Sequence, residues 1–209
     1  MNPWLAKAVV LVAFIATVLI RAPHGKRSRL VKVAKSQKGP VEVFLLTIAW
    51  IAFFLPIVWI ATPWFAFADF PLYPFPLVAG GLLLALGLWI FHWSHADLGT
   101  NWSVTLEIRD SHRLVTTGLY RHVRHPMYFA LLLYGLGQMV TVPNWFVGPS
   151  YVAAMLLMCA FRLGPEEKLM RDEFNGEYEA YASRTKKLIP RVWLGWLTGA
   201  CSRRRNLPR

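Results

Sequence analysis

The sequence predicts an all-α fold, a polytopic bundle of five membrane-spanning helices that forms a single domain over residues 1–209. Of the 209 residues, 56% are hydrophobic, and they occur in long blocks rather than in the alternating pattern of a soluble core. A membrane span needs about 20 mostly apolar residues, and five blocks come close to this length. The basic residues collect in alternate loops between these blocks. Block length and charge position together predict the bundle.

The five predicted spans are separated by connections of very different composition. They cover residues 4–20, 43–61, 76–93, 126–142 and 145–163, and residues 164–209 follow as a C-terminal region. The first span should be retained rather than cleaved as a signal peptide, because its basic flank follows the apolar run and no small-residue cleavage site appears. Pro56 predicts a kink in the second span, and the prolines of residues 70–76 predict a loop. The short segment "VPNWFVGP" predicts an antiparallel hairpin of the last two spans.

Lysine and arginine are distributed very unevenly among the loops. Residues 21–40 carry seven, residues 92–125 carry four and residues 162–209 carry eleven, whereas residues 62–75 and 143–149 carry none. Because short basic loops stay in the cytoplasm, the N-terminus should lie outside and the C-terminus inside. The net charge of +12 then reflects topology and attraction to anionic lipids, each charge near the surface contributing about 1 kcal/mol. This disfavours nucleic acid as a partner.

Two cytoplasmic segments are too polar for the membrane and too patterned for plain linkers. The first covers residues 94–125. The second covers residues 164–190 and should begin a new helix at Pro165, since proline is favoured at the first helical position and the acids after it suit a helix N-terminus. Five of its residues share one helical face: Glu167, Arg171, Phe174, Tyr178 and Tyr181. A solvated helix would not place aromatic residues there, so this helix should pack over the cytoplasmic mouth of the bundle.

The stretch "GLYRHVRHPMYFALLLYG", residues 118–135, crowds polar side chains at the start of the fourth span. Pro126 should open this helix, which puts His125 at its N-cap. The backbone N–H groups of a first helical turn attract anions, and Arg121 and Arg124 add positive charge. These residues therefore predict a site for a carboxylate or a phosphate. An alternative is that the arginines simply reach toward lipid phosphates.

A second polar pair, Arg162 and Glu166, lies at the end of the fifth span. On a continuous helix a spacing of four would place both on one face, and ionisable residues at a membrane boundary suggest function. An interfacial salt bridge is the alternative. The pairs His92/His95 and His122/His125 could each offer two metal ligands. Six histidines without a larger cluster do not predict a metal site, so no metal is expected. Cys159 and Cys201 should be free thiols.

Several of these motifs, in this order, resemble the isoprenylcysteine carboxyl methyltransferase family, and the five spans resemble its prokaryotic branch. They are "LGTNWS" (98–103), "SHRLVTTGLY" (111–120), "RHPMY" (124–128), "EE" (166–167) and "FNGEYEAYASRTKKLIP" (174–190). The resemblance implies a transferase that binds S-adenosylmethionine in a cytoplasmic pocket formed by loop 94–125 and the C-terminal helices. It implies a protein-S-isoprenylcysteine O-methyltransferase-like activity on a lipophilic or lipid-anchored substrate, with membrane lipids as further partners.

Matched position by position, the resemblance implies a set of site residues. The cofactor-binding residues would be His112, Arg113, Leu114, Val115, Tyr120, His125, Pro126, Met127, Tyr128 and Glu166. Arg162 would meet a substrate carboxylate. A carboxylate nucleophile needs no general base, whereas for an amine Glu167 would be the candidate base.

The sequence also departs from the family, and other functions stay open. Thr105 stands where eukaryotic members have a cofactor-binding glutamine, and the glycine in residues 174–178 is displaced by one position. One alternative is N-methylation of a lipid amine such as phosphatidylethanolamine. Another is an NADPH-dependent reductase, because "RDEFNGEYEAY" (171–181) is similar to a part of the sterol reductases. A third is a non-catalytic lipid-binding protein.

Overall fold

The computed structural model is a bundle of five long helices, which confirms the predicted all-helical membrane fold in its main features. It describes residues 2, 4–28, 33–36, 39–99, 105, 107–109 and 113–189. The helices are α1 (Trp4–Ser28), α2 (Pro40–Ala61), α3 (Pro74–Leu98), α4 (Pro126–Thr141) and α5 (Val147–Arg184). The predictions for His112, for Cys201 and for the tail after residue 189 lie outside the described residues.

Successive helices run in opposite directions, so the bundle has two distinct ends. At one end, the loop after α2 meets the α4–α5 hairpin, where the N–H of Phe70 donates to the carbonyl of Pro143. The other end, called the pocket end below, carries Arg21, Glu42, His95, His125 and Arg162. The predicted spans and hairpin thus occur in the predicted order, and the described helix ends next to the three basic segments lie at the pocket end.

Four of the five helices are long and apolar enough to cross a membrane. These segments are Trp4–Lys26, Pro40–Ala61, Pro74–Leu98 and Val147–Arg184. With 16 residues, α4 is shorter, about 24 Å at 1.5 Å per residue. It packs closely on its neighbours instead: a Cβ atom at Gly135 would lie 2.8 Å from the Cα of Val152 on α5. The fifth span therefore stays a prediction.

A two-stranded antiparallel ribbon interrupts the otherwise helical architecture and was not predicted. Strand β1 (Val33–Ser36) lies between α1 and α2, and strand β2 (Glu107–Arg109) lies between α3 and α4. Val33 pairs with Arg109 and Ser36 with Glu107, with an irregularity between them. Backbone pairing satisfies the N–H and C=O groups of two loops that are distant in sequence. The ribbon thereby ties the first loop to the segment that precedes α4.

The prediction of a new helix at Pro165 was wrong. This proline lies inside α5, which has 38 residues in all and starts at Val147. Proline removes one i to i−4 hydrogen bond, and the rest of a long, packed helix tolerates that loss. The helical backbone is interrupted instead at Asn175, where φ is 44° and ψ is −126°. Beyond this point the helix folds over the pocket end, as predicted: the Tyr181 hydroxyl donates to the carbonyl of Tyr120 at 2.7 Å.

Candidate active site

A cavity of about 360 Å³ opens at the pocket end of the bundle, a size typical of small-molecule sites. One part of its wall is polar and comes from the segment before α4, from the start of α4 and from α5. The other part is mainly apolar and comes from α2 and the first half of α5, with α1 adding both apolar residues and Arg21. Leu46, Ala49, Trp50 and Phe53 form the α2 side of this apolar part. The cavity therefore combines two environments suited to two different chemical groups.

The position of His125 is fixed by the start of α4 and by backbone hydrogen bonds to the segment after α5. It is the N-cap residue of α4, with Pro126 as the first helical residue, as predicted. Its N–H donates to the carbonyl of Lys187 at 3.1 Å, and the N–H of Arg124 donates to Lys186 at 2.8 Å. The imidazole is buried, with 6% exposure. The chain after α5 thus holds the start of α4 in place.

Two consecutive carboxylates flank the imidazole of His125. Its Nδ1 lies 3.6 Å from Oε1 of Glu166, and its Nε2 lies 3.3 Å from Oε1 of Glu167. Burial alone would lower the pKa of His125, but hydrogen bonds and charges from both glutamates outweigh it and raise the pKa above its usual value. The two carboxylates therefore favour the protonated form of the imidazole, in which both ring nitrogens can donate.

Glu166 is the acid that faces the cavity. The hydroxyl of Tyr128 donates to its Oε2 at 2.7 Å, and Nε of Arg162 lies 3.8 Å from the same oxygen. Burial would raise the pKa of Glu166, but His125 and Arg162 lower it below the usual value. The side chain is therefore a carboxylate at neutral pH, available to a positively charged group in the cavity.

Glu167 points to a different set of partners and is not among the residues that line the cavity. Arg124 Nε donates to its Oε1 at 2.9 Å, and Lys187 Nζ lies 3.4 Å from its Oε2. Burial would raise its pKa, but His125 and Arg124 lower it to about 2. A carboxylate this acidic is a weak proton acceptor, so the geometry favours an ion-pair role. The hypothesis that Glu167 is a base stays a prediction.

Most of the other predicted cofactor residues line the same cavity. They are Arg113, Leu114, Val115, Tyr120, Met127 and Tyr128. Thr105, which was not among the predicted cofactor residues, also lines the cavity. Tyr120 is buried, and burial raises the pKa of its phenol well above the usual range, so its hydroxyl stays protonated. Pro126 opens α4 but is not part of the cavity wall.

Arg162 is buried at 8% exposure and reaches a residue that sequence reasoning missed. Its Nη2 lies 3.6 Å from Oε1 of Glu42, in the first turn of α2. A signal was present, since Glu42 and Asp69 are the only acids before residue 97 and an acid in an apolar helix is costly. Asp97 was also missed. Its Oδ2 accepts from the N–H of Leu119 at 2.8 Å and fixes the turn before Tyr120.

The region that carries most of these residues matches a known family. Residues 81–172 match the family model described as isoprenylcysteine carboxyl methyltransferase. The match covers 92 of the 209 residues of this chain, from 81 to 172. The family region contains His125, Arg162, Glu166 and Glu167, whereas α1 and α2 lie outside it.

The similar proteins include a probable methyltransferase and a protein with a different name. A probable protein-S-isoprenylcysteine O-methyltransferase of Oryza sativa subsp. indica is 30% identical over 42% of this chain and 46% of its own length. The cobalt-zinc-cadmium resistance protein CzcN of Cupriavidus metallidurans is 31% identical over 60% of each chain. The chain thus spans about half the length of the rice methyltransferase. Within the described residues, no group of three or more His, Cys, Asp or Glu side chains is arranged so that it could hold a metal ion.

The comparison with solved structures also gives a match. The eukaryotic intramembrane Ras methyltransferase ICMT matches with a TM-score of 0.49 and 22% identity. The match covers 75% of this chain and 54% of the other.

Proposed function

We propose that this protein is an integral-membrane methyltransferase that uses S-adenosylmethionine and acts on a lipophilic carboxylate, such as isoprenylcysteine or an analogue. The observation that carries the proposal is the composition of the cavity, in which charged groups suited to a zwitterion adjoin an apolar recess. The family of residues 81–172 supports the reaction class. The pocket end would be cytoplasmic, in agreement with the basic loops on that side.

The polar part of the cavity has the donors and acceptors that the cofactor would need. Protonated His125, Arg113 and the start of α4 would attract its carboxylate. The carboxylate of Glu166 and the faces of Tyr120 and Tyr128 would attract its positive groups. When bound, this cofactor supplies an electrophilic methyl group on a sulfonium. The residues present therefore fit the group.

The apolar part of the cavity would receive the lipid tail of the acceptor. Trp50 and Phe53 of α2 form its wall, together with Met155 of α5. Arg162 lies where the two parts meet and would align an acceptor carboxylate by charge and hydrogen bonding. Alignment of the reacting atoms at roughly 3–3.5 Å and exclusion of water would supply most of the catalysis. No base is needed for a carboxylate nucleophile.

One observation favours a second candidate, methylation of a lipid amine. Arg162 already contacts the carboxylates of Glu42 and Glu166 within 4 Å, so its positive charge is largely compensated. An amine acceptor would then meet less repulsion than an isolated arginine would cause. A direct assay of methyl transfer distinguishes a carboxylate acceptor from an amine acceptor.

The proposal is tested with the detergent-purified full chain. Calorimetric titration with S-adenosylhomocysteine should give saturable binding, whereas NADPH should give none. Labelled S-adenosylmethionine is then offered with prenylated cysteine analogues, fatty acids or phosphatidylethanolamine. Methyl transfer to a prenylated cysteine analogue supports the proposal. Methyl transfer to phosphatidylethanolamine alone would favour methylation of a lipid amine. Binding of NADPH without S-adenosylhomocysteine would overturn both.

A further inference from the structure

The guanidinium of Arg162 is held between carboxylates of two different helices. Its Nη2 lies 3.6 Å from Glu42 of α2, and its Nε lies 3.8 Å from Glu166, one turn further along α5. The side chains of Arg162 and Glu42 are only 9% and 5% exposed. Two charges at this depth depend on each other, because removal of either partner leaves an uncompensated buried charge. The pair therefore restricts where the arginine can point.

Glu42 also begins the face of α2 that forms the apolar wall of the cavity. The cavity residues of α2 are Leu46, Ala49, Trp50 and Phe53. They follow Glu42 at spacings of 4, 7, 8 and 11, so all five belong to one helical stripe. This stripe lies outside the family region of residues 81–172. One helix thus presents a charged contact to Arg162 and an apolar surface to the recess.

We propose that Glu42 is a positioning residue, which fixes the guanidinium of Arg162 at the boundary between the polar and apolar parts of the cavity. The inference rests on the proposed function, in which Arg162 meets the acceptor. Carboxylates at Nε and Nη2 select one orientation of a long, flexible side chain. In this orientation Nη1 lies 3.9 Å from Sδ of Met158, a cavity residue and a weak hydrogen-bond acceptor. An acceptor carboxylate can replace this weak contact.

Arg21 explains why Glu42 does not exclude an anionic acceptor. It comes from the end of α1, lines the same cavity, and its guanidinium lies 5.0 Å from the ring centre of Trp50. Arg21 therefore adds a second positive charge to the cavity wall, in addition to Arg162, which pairs with Glu42 and Glu166. The negative charge of Glu42 is compensated, so it can orient Arg162 without repelling a carboxylate.

The first experiment measures methyl transfer by Glu42→Gln, a variant of equal size that keeps a polar side chain. With a prenylated cysteine analogue, kcat/KM should fall at least tenfold, while the affinity for S-adenosylhomocysteine stays within threefold. Glu42→Asp should restore part of the activity, because it keeps the charge. Glu177→Gln removes an exposed acid of α5 and serves as the matched control. The double variant Glu42→Gln/Arg162→Lys should be no slower than Arg162→Lys, since the group to be positioned is already altered.

A second experiment needs no turnover and tests the pair itself. The loss of Tm in Glu42→Gln/Arg162→Gln should be smaller than the sum of the losses in the two single variants. Additive losses would overturn the pairing whatever the function. Pairing with unchanged kcat and KM in Glu42→Gln would overturn the positioning role. If the wild type binds S-adenosylhomocysteine but methylates no offered acceptor, the proposed acceptor is wrong and the positioning role falls with it, whereas lack of binding overturns the proposed function itself.

Discussion

His125 at the start of α4 lies between Glu166 and Glu167 of α5, and its Nε2 is 3.3 Å from Oε1 of Glu167. The contact joins residues 42 positions apart in sequence. It fixes His125 at the helix end expected to attract an anion, next to Glu166, the carboxylate expected to attract a cation. Changes at this contact should therefore alter ligand binding more than the fold.

His125→Gln should weaken binding of S-adenosylhomocysteine at least tenfold. The variant loses a charged donor, and such a hydrogen bond contributes about 1.5–3 kcal/mol. Calorimetry of the purified variant measures the change. His122→Gln, an exposed histidine three residues earlier, is the matched control and should bind normally. Equal affinities in the wild type and in His125→Gln would remove His125 from the site.

The stability of the protein should depend on pH through His125. Its pKa is raised in the folded state, so its stabilising contribution is fully present below the unfolded value of about 6.5 and is lost as the pH rises through the higher folded value. The Tm of the detergent-solubilised protein should fall across this range. Because the carboxylates stay ionised there, His125→Gln should lack this part of the slope. Identical pH profiles for both proteins would contradict the assignment.

Arg162→Lys should strongly reduce methyl transfer to a carboxylate acceptor and leave the affinity for S-adenosylhomocysteine within a few-fold. Lysine keeps the charge but lacks the planar fork that orients a carboxylate. Parallel kinetics and calorimetry separate the two effects. Full activity of the lysine variant would refute the carboxylate hypothesis and favour the lipid amine.

Close packing of α4 on α5 predicts that Gly135→Ala is destabilising. The added Cβ would lie 2.8 Å from Cα and 2.9 Å from N of Val152, so a helix backbone must move. Gly81→Ala is the control, because a Cβ there meets nothing within 4 Å. Overpacking of this kind typically costs about 1–3 kcal/mol. A Tm of Gly135→Ala at or above that of Gly81→Ala would show that the two helices are not in such close contact.

The pocket end is predicted to face the cytoplasm. In a background without Cys159 and Cys201, a cysteine in place of the exposed Ser183 should be protected from a membrane-impermeant reagent in intact cells. A cysteine in place of Phe67, which is 76% exposed at the opposite end, should react. The reverse pattern would invert the topology.

The helices were predictable, and most of the predicted cofactor residues lie around one cavity, whereas the contacts among these residues were not predictable. Hydropathy and Pro126 predicted the start of α4, because proline and the apolar run are local signals. Residue type alone suggested both Glu166 and Glu167 as site residues, but only the geometry assigns Glu166 to the cavity and Glu167 to Arg124. The partner of Arg162 is 120 positions away at Glu42. No local pattern encodes such a contact.

The wrong prediction of a helix start at Pro165 and the lack of a prediction for strands β1 and β2 have the same physical cause. Pro165 reads locally as a helix start, but packing of the long α5 keeps the helix continuous. Strands β1 and β2 are four and three residues long, and each exists only through pairing with the other. Local propensity is too weak to decide such cases, since tertiary contacts override it.

The carbonyls of Lys186 and Lys187 accept hydrogen bonds from the N–H groups of Arg124 and His125. The site can therefore be completed only after residue 187 has been synthesised. A nascent chain that has inserted all its spans still lacks these two acceptors until residue 187 has left the ribosome. The start of α4 is then already in the membrane, but its N–H groups at Arg124 and His125 do not yet have these hydrogen bonds. We therefore expect the site to become competent for its ligand only after α5 and the segment that follows it have been synthesised.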